Sequence, residues 1–206
     1  SVLLALLAVA APAEIVDRIV ATVGRRVITL SEVQEAWRVE RLLNQQPPQP
    51  LDASLVREVA DRLLNQALLA QEMEASRFPH VSGREIEARM AEIRQSYGGE
   101  AGFRQALEKH QVEEQALRRR VELEENLNRF IELRFRPIVQ VDEPAIERYY
   151  RETLLPQLRQ RGSSQTPQLD EVRERIEEVL VAQRINGELA NWIKELRAQA
   201  NIQWRL

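Results

Sequence analysis

Cysteine is absent from the 206 residues of this protein. That excludes disulfides, thiolate metal sites, cysteine nucleophiles and a cysteine-linked lipid anchor. Only two histidines are present, His80 and His110, and neither has His, Asp or Glu partners at metal-ligand spacing. Seven glycines leave little room for a phosphate-cradling loop, and no GxGxxG or Walker pattern occurs. Aromatic residues are 5% of the sequence, too few to suggest a cofactor box. Net charge is −3, so global charge does not drive nucleic-acid binding. What remains is 44% hydrophobic and 30% charged, the composition of a folded protein and not of a disordered one. These absences point to a binding or structural protein rather than an enzyme, with no catalytic residues, no cofactor and no metal expected.

The first thirteen residues, SVLLALLAVAAPA, are of different material: eleven are apolar and none is charged. A bilayer span needs about 20 such residues. The run matches the apolar region of a secretory signal, and Ala11-Pro12-Ala13 has the form of its cleavage site. Residues 1–13 are therefore expected to be a signal remnant. The mature protein, 14–206, is expected outside the cytoplasm, without stable membrane insertion after cleavage near Ala13.

Val16–Val23 and Arg26–Leu30 are rich in Val, Ile and Thr and flank Gly24-Arg25, which predicts a β-hairpin with a type II′ turn. Helical patterns follow. Ser31 with Gln34 reads as a capping box opening a helix over Glu32–Asn44. The proline loop 45–50 ends it. Asp52 caps a helix whose stripe is Val56, Val59, Ala60, Leu63, Leu64, Ala67 and Leu68. Ser82 with Glu85 caps another, broken at Gly98-Gly99. A short helix over Ala101–Lys109 and a long one over Val112–Arg136 come next. Val139–Val141 reads as a brief extended piece, and Asp142 as the cap of a helix entered through Pro144. Arg161–Gln168 reads as a linker, and Asp170 starts the last helix. In Asn201–Leu206, Ile202, Trp204 and Leu206 alternate with polar residues, a strand pattern. An isolated terminal strand must pair, and the only other β material is the hairpin. The predicted fold is mainly α, a multi-helix core with a small antiparallel sheet made by the N-terminal hairpin and the C-terminal strand. Residues 14–206 are read as one domain.

Three segments carry a family resemblance. Val16–Val33, with its Asp17-x-Ile19-Val20-Ala21-x-Val23 core and Ile28-Thr29 before Ser31-Glu32, resembles the start of the SurA family of periplasmic parvulin-type chaperones. Val141–Tyr150 is similar to the segment that precedes the prolyl-isomerase domain in those proteins. Leu169–Leu206 is similar to their C-terminal helix and closing strand. Gly24 stands where an Asn is more usual, which leaves the turn intact. The large departure is between the last two matches. A parvulin domain of about a hundred residues would sit there, and this sequence has only 151–168. His80 and His110 match no parvulin motif, so isomerase activity is not carried over.

The resemblance implies an ATP-independent holdase for unfolded or extended segments of exported and outer-membrane proteins. Alternatives are a dedicated assembly adaptor for one envelope partner, or an isomerase relative whose activity is lost. Homodimers could form by strand or helix exchange. A chaperone needs exposed apolar surface. The candidate peptide-binding residues are Met73, Met90, Tyr97 and Phe103 in the middle helices, and Tyr149 and Tyr150 beside the position of the absent domain. Three other features read as structural. His80 is read as a surface or capping residue, and His110 as a helix-end residue favourable for the dipole. Ser163-Ser164 lack a base. Arg118-Arg119-Arg120 are compensated by following glutamates.

Overall fold

The computed structural model describes residues 17–162 and 166–205. The expected signal remnant, Ser163-Ser164 and Leu206 lie outside them. Strand β1 (Ile19–Val23) turns through Gly24, whose φ of +56° suits a residue without a Cβ, into β2 (Arg26–Thr29). The closing strand β3 (Ile202–Trp204) pairs antiparallel with β1, so the sheet order is β2-β1-β3. Val23 stands opposite both Arg26 and Ile202. The fold is mainly α with this small antiparallel sheet joining the two ends of the described residues, as the sequence predicts.

Helix α1 (Leu30–Leu43) starts earlier than expected. Its capping box is Thr29 with Glu32, not Ser31 with Gln34. Thr29 ends β2 with extended backbone, so it is the residue that can present its hydroxyl to the N3 amide. The Ser31 hydroxyl and backbone N–H instead donate to Asp17. Those bonds, led by the hydroxyl, hold the Asp17 carboxyl below its ordinary range.

A short 3-10 turn capped by Asp52 leads into α2 (Val56–Ala75), and α3 (Gly83–Ser96) carries the Ser82–Glu85 box. Then come α4 (Glu100–His110) and α5 (Glu114–Phe135). Beyond Phe135 a 3-10 turn, Arg136–Ile138, forms around Pro137; the expected extended piece Val139–Val141 follows it outside any helix, with Val139 extended, but pairs in no strand. Helix α6 (Glu143–Tyr149) has Asp142 at its N-cap without a side-chain bond; Pro144 removes the N2 donor, and the N3 donor, Ala145 N–H, goes to the Asp142 carbonyl at 3.0 Å. Asp142 faces Arg184 at 3.6 Å instead. A π turn (Tyr150–Leu154) runs into α7 (Leu155–Gln160), which lets Pro156 sit inside continuous helix: the Leu155 N–H reaches back five residues to Tyr150. Helix α8 spans Leu169–Gln199, opening on a Gln168–Glu171 box one residue before the expected Asp170.

Three apolar clusters pack these elements. Ala21, Val23 and Ile28 of the sheet meet Val59, Ala60, Leu64 and Leu68 of α2. Leu42, Met90, Phe103 and Leu117 centre a second cluster among α1, α3, α4 and α5. The third joins Leu69, Met73, Phe78, Leu127 and Phe130, with Leu189 and Trp192 of α8 against it. The last turns of α8 are fixed to α2 by Arg197, which donates to Asp61 at 2.8 Å and Asn65 at 2.7 Å.

Candidate functional site

Helix α8 has 31 residues, about 46 Å at 1.5 Å per residue, and its packing changes along its length. Its C-terminal turns belong to the core. Its first half meets α6, and there only Ile146 and Ile176 are buried. Tyr149, Leu154, Leu155, Leu158, Val172, Val179 and Leu180 remain half-buried in this hairpin-like arm. The arm is held by polar ties instead. The Tyr150 hydroxyl donates to the Pro167 carbonyl at 2.7 Å, and Arg173 pairs with Glu143 and, at 3.0 Å, with Asp170.

Two clefts adjoin the middle of α8. One, of about 210 Å³, is lined by Ile131, Ile185 and Leu189 with Asn128 and Asn186. The other, of about 440 Å³, lies between Ile138, Val139 and Gln140 and the helix at Arg184, Gly187 and Asn191. A Cβ at Gly187 would meet nothing within 4 Å, so the helix faces open space at this lining position. Among the described residues the two most exposed large apolar side chains are Ile138, 67% exposed at the rim of the second cleft, and Leu133, 57% exposed on the face of α5 that Arg129 turns toward Glu85 of α3. A half-buried apolar arm and an apolar rim can hold an extended polypeptide by burial, without a shaped catalytic pocket.

The sequence-derived candidates fall in three separate places. Met90 and Phe103 have no exposed surface, and Met73 is nearly as enclosed, so all three are core side chains in this structure. Helical 3–4 spacing is shared by core and groove wall, and here it marks core. Tyr97 is half-buried, its hydroxyl donating to the Leu42 carbonyl at 2.5 Å, and burial pushes its pKa up. Tyr149 and Tyr150 do lie on the arm. Leu133 and Ile138 are not among the sequence-derived candidates. Leu133 falls out of phase with the Leu127–Phe130–Ile131 stripe, and Ile138 follows Pro137. An apolar residue off its own stripe is the signal that singles out Leu133.

His80 is exposed, its ring edge-on to Phe78 at 6.0 Å. His110 ends α4 and is buried, its ring nitrogens facing the carbonyls of Ala106 and Gln46 at 2.8 and 2.9 Å. Arg118, Arg119 and Arg120 each face a carboxylate, of Glu87, Glu35 and Glu124 respectively. No cluster of three His, Asp or Glu able to hold a metal occurs among the described residues. No described helix is long and apolar enough to cross a membrane. No family model matches this sequence, and no curated protein matches it.

Proposed function

We propose that this protein is a nucleotide-independent chaperone, a holdase resembling the SurA core without its isomerase domain, acting on exported polypeptides in the periplasm. One observation carries the reading: apolar side chains stay half-buried along the α6–α7–α8 arm, with Ile138 exposed at the cleft beside α8. A monomer's apolar surface in contiguous array marks a binding site. Clients would be held by reversible burial of their apolar side chains against the arm and the clefts beside α8. Release would follow from modest affinity and from the client's own folding. The sequence likeness of Val16–Val33, Val141–Tyr150 and Leu169–Leu206 supports the same reading. The short stretch between the last two supports a role without prolyl isomerisation.

The test is dilution of a denatured outer-membrane protein with and without this protein, alongside a proline-peptide isomerisation assay on the same sample. Suppressed aggregation at near-equimolar ratio without isomerisation supports the reading. Ile138→Glu, at an exposed position on the cleft, should weaken suppression while leaving the fold intact. No suppression of any client would overturn it and favour a dedicated adaptor.

A further inference from the structure

A second cleft, far in sequence from α8, has a different chemistry. It has a volume of about 380 Å³ and lies between α1, the proline loop and the end of α4. Ligand sites of this kind run from about 300 to 1,000 Å³. Its charged lining residues are Arg38, Arg41 and Lys109, and no Asp or Glu lines it. Among the described residues none of these three forms an ion pair, although about half of the arginines do.

The sharpest feature is Arg38. Its Nε is buried and has no hydrogen-bond partner. A buried donor left without an acceptor is costly, and such groups are rare in folded proteins. The cleft's apolar lining is Trp37, Pro48, Pro50 and Leu51. It is held in place. The Trp37 indole N–H donates to the Gln49 carbonyl at 2.8 Å, and Arg41 Nε to the Pro47 carbonyl at 2.6 Å. The Arg41 guanidinium stacks 5.2 Å from the Trp37 ring centroid. His110 cannot serve the ligand, because both its ring nitrogens already face carbonyls.

We propose that this cleft binds a peptide carboxylate next to an apolar side chain. Arg38 and Lys109 take the carboxylate, since a guanidinium fork matches its two oxygens. Trp37 and the prolines take the neighbouring apolar group. A bare anion would leave that wall unused. A preformed wall lowers the ordering cost of binding. The carboxylate has two sources, the free C-terminus of a peptide or an Asp or Glu side group. The proposal does not rest on the holdase reading, because it concerns another cleft and is read out by binding alone.

The experiment is fluorescence anisotropy with the full-length protein and three labelled pentapeptides. One ends in leucine with a free carboxylate. The second is its C-terminal amide. The third is the amide with a glutamate before the leucine. The free acid or the glutamate peptide should saturate the protein, and the neutral amide should bind at least about tenfold more weakly. The stronger of the two acids identifies the source. Arg38→Met and Lys109→Gln should each weaken binding by about tenfold or more. Lys109 is exposed, so its variant decides the matter even where Arg38→Met misfolds. Equal binding of the neutral amide, no binding of any peptide, unchanged binding by Lys109→Gln, or displacement by inorganic phosphate at the peptide's own Kd would each overturn the proposal.

Discussion

A Cβ placed on Gly102 would stand 1.9 Å from the carbonyl oxygen of Tyr97. Gly102 lies in the first turn of α4, and the Gly98-Gly99 corner, with φ of +78° and +98°, folds the end of α3 back over it. The obstructing atom is backbone, so it cannot swing aside. Gly102→Ala should therefore destabilise the protein by about 1–3 kcal/mol, the range of overpacked sites. Urea unfolding would measure this. An unchanged midpoint would show that the corner yields freely.

The N-terminus of α3 gives a pH dependence. The Ser82 backbone N–H and hydroxyl, and then the Arg129 guanidinium, hold the Glu85 carboxyl down at about 2. A depressed carboxylate contributes stability that is fully present above its unfolded value of about 4.3 and lost as pH falls toward 2. Stability of Glu85→Gln should thus be lower than wild type at pH 7 and converge on it toward pH 2. Thermal melts of both proteins across that window check the sign. A constant gap would assign the effect to something other than ionisation.

Asn126 is buried in α5, and its Oδ1 accepts from the Val81 backbone N–H at 2.8 Å. This bond ties the loop before α3 to α5. Asn126→Leu removes the acceptor and leaves a partly buried N–H unmade, at a cost of about 1–3 kcal/mol. Hydrogen exchange at the Val81 amide should accelerate in the variant. Exchange at the wild-type rate would mean the bond adds little.

How much of the fold is legible in the sequence depends on how local each cause is. The hairpin turn at Gly24, the Ser82–Glu85 box and the breaks at Pro137 and Gly98-Gly99 are set within a few residues, and all can be read directly. The meeting of the two ends follows from one argument, that Ile202 and Trp204 need a partner strand. Helix starts are misread where a tertiary partner competes. Ser31 is lost as a cap because Asp17 holds its hydroxyl. Asp142 stands at the N-cap as expected, but the Ala145 N–H bonds its backbone carbonyl rather than its side chain. The site is less legible. Met90 and Phe103 obey the same periodicity as a groove wall, and only three-dimensional packing separates the two. The Arg38 cleft depends on which arginines lack partners, a property of the folded state alone.

The closing strand can be tested directly. Trp204 lies opposite Ala21 on β1, and the Arg57 guanidinium from α2 stacks 4.5 Å from its ring centroid. Trp204→Ala removes an aromatic from the sheet–α2 cluster, where large-to-small losses run to about 3–5 kcal/mol for full burial. Trp204 is only half-buried, so a smaller loss, of about 2 kcal/mol, is expected. Denaturant titration followed by circular dichroism would measure it. A negligible change would mean that β3 rests on the sheet without securing it.

Gly187 tests whether open space beside α8 is retained for use. It is a helix-interior glycine facing nothing within 4 Å. Such a glycine costs about 0.5–1 kcal/mol relative to alanine. Gly187→Ala should therefore raise stability by that amount, with no clash to oppose it. Gly187→Leu should place its isobutyl group in the cleft between Ile138 and Asn191. If that cleft takes client side chains, the alanine variant keeps aggregation suppression while the leucine variant loses it, at equal or greater stability than wild type. Suppression by Gly187→Leu at the wild-type level would move client binding off this cleft and onto the arm alone. The two variants separate stability from occupancy, because they share the helix gain and differ only in what fills the space.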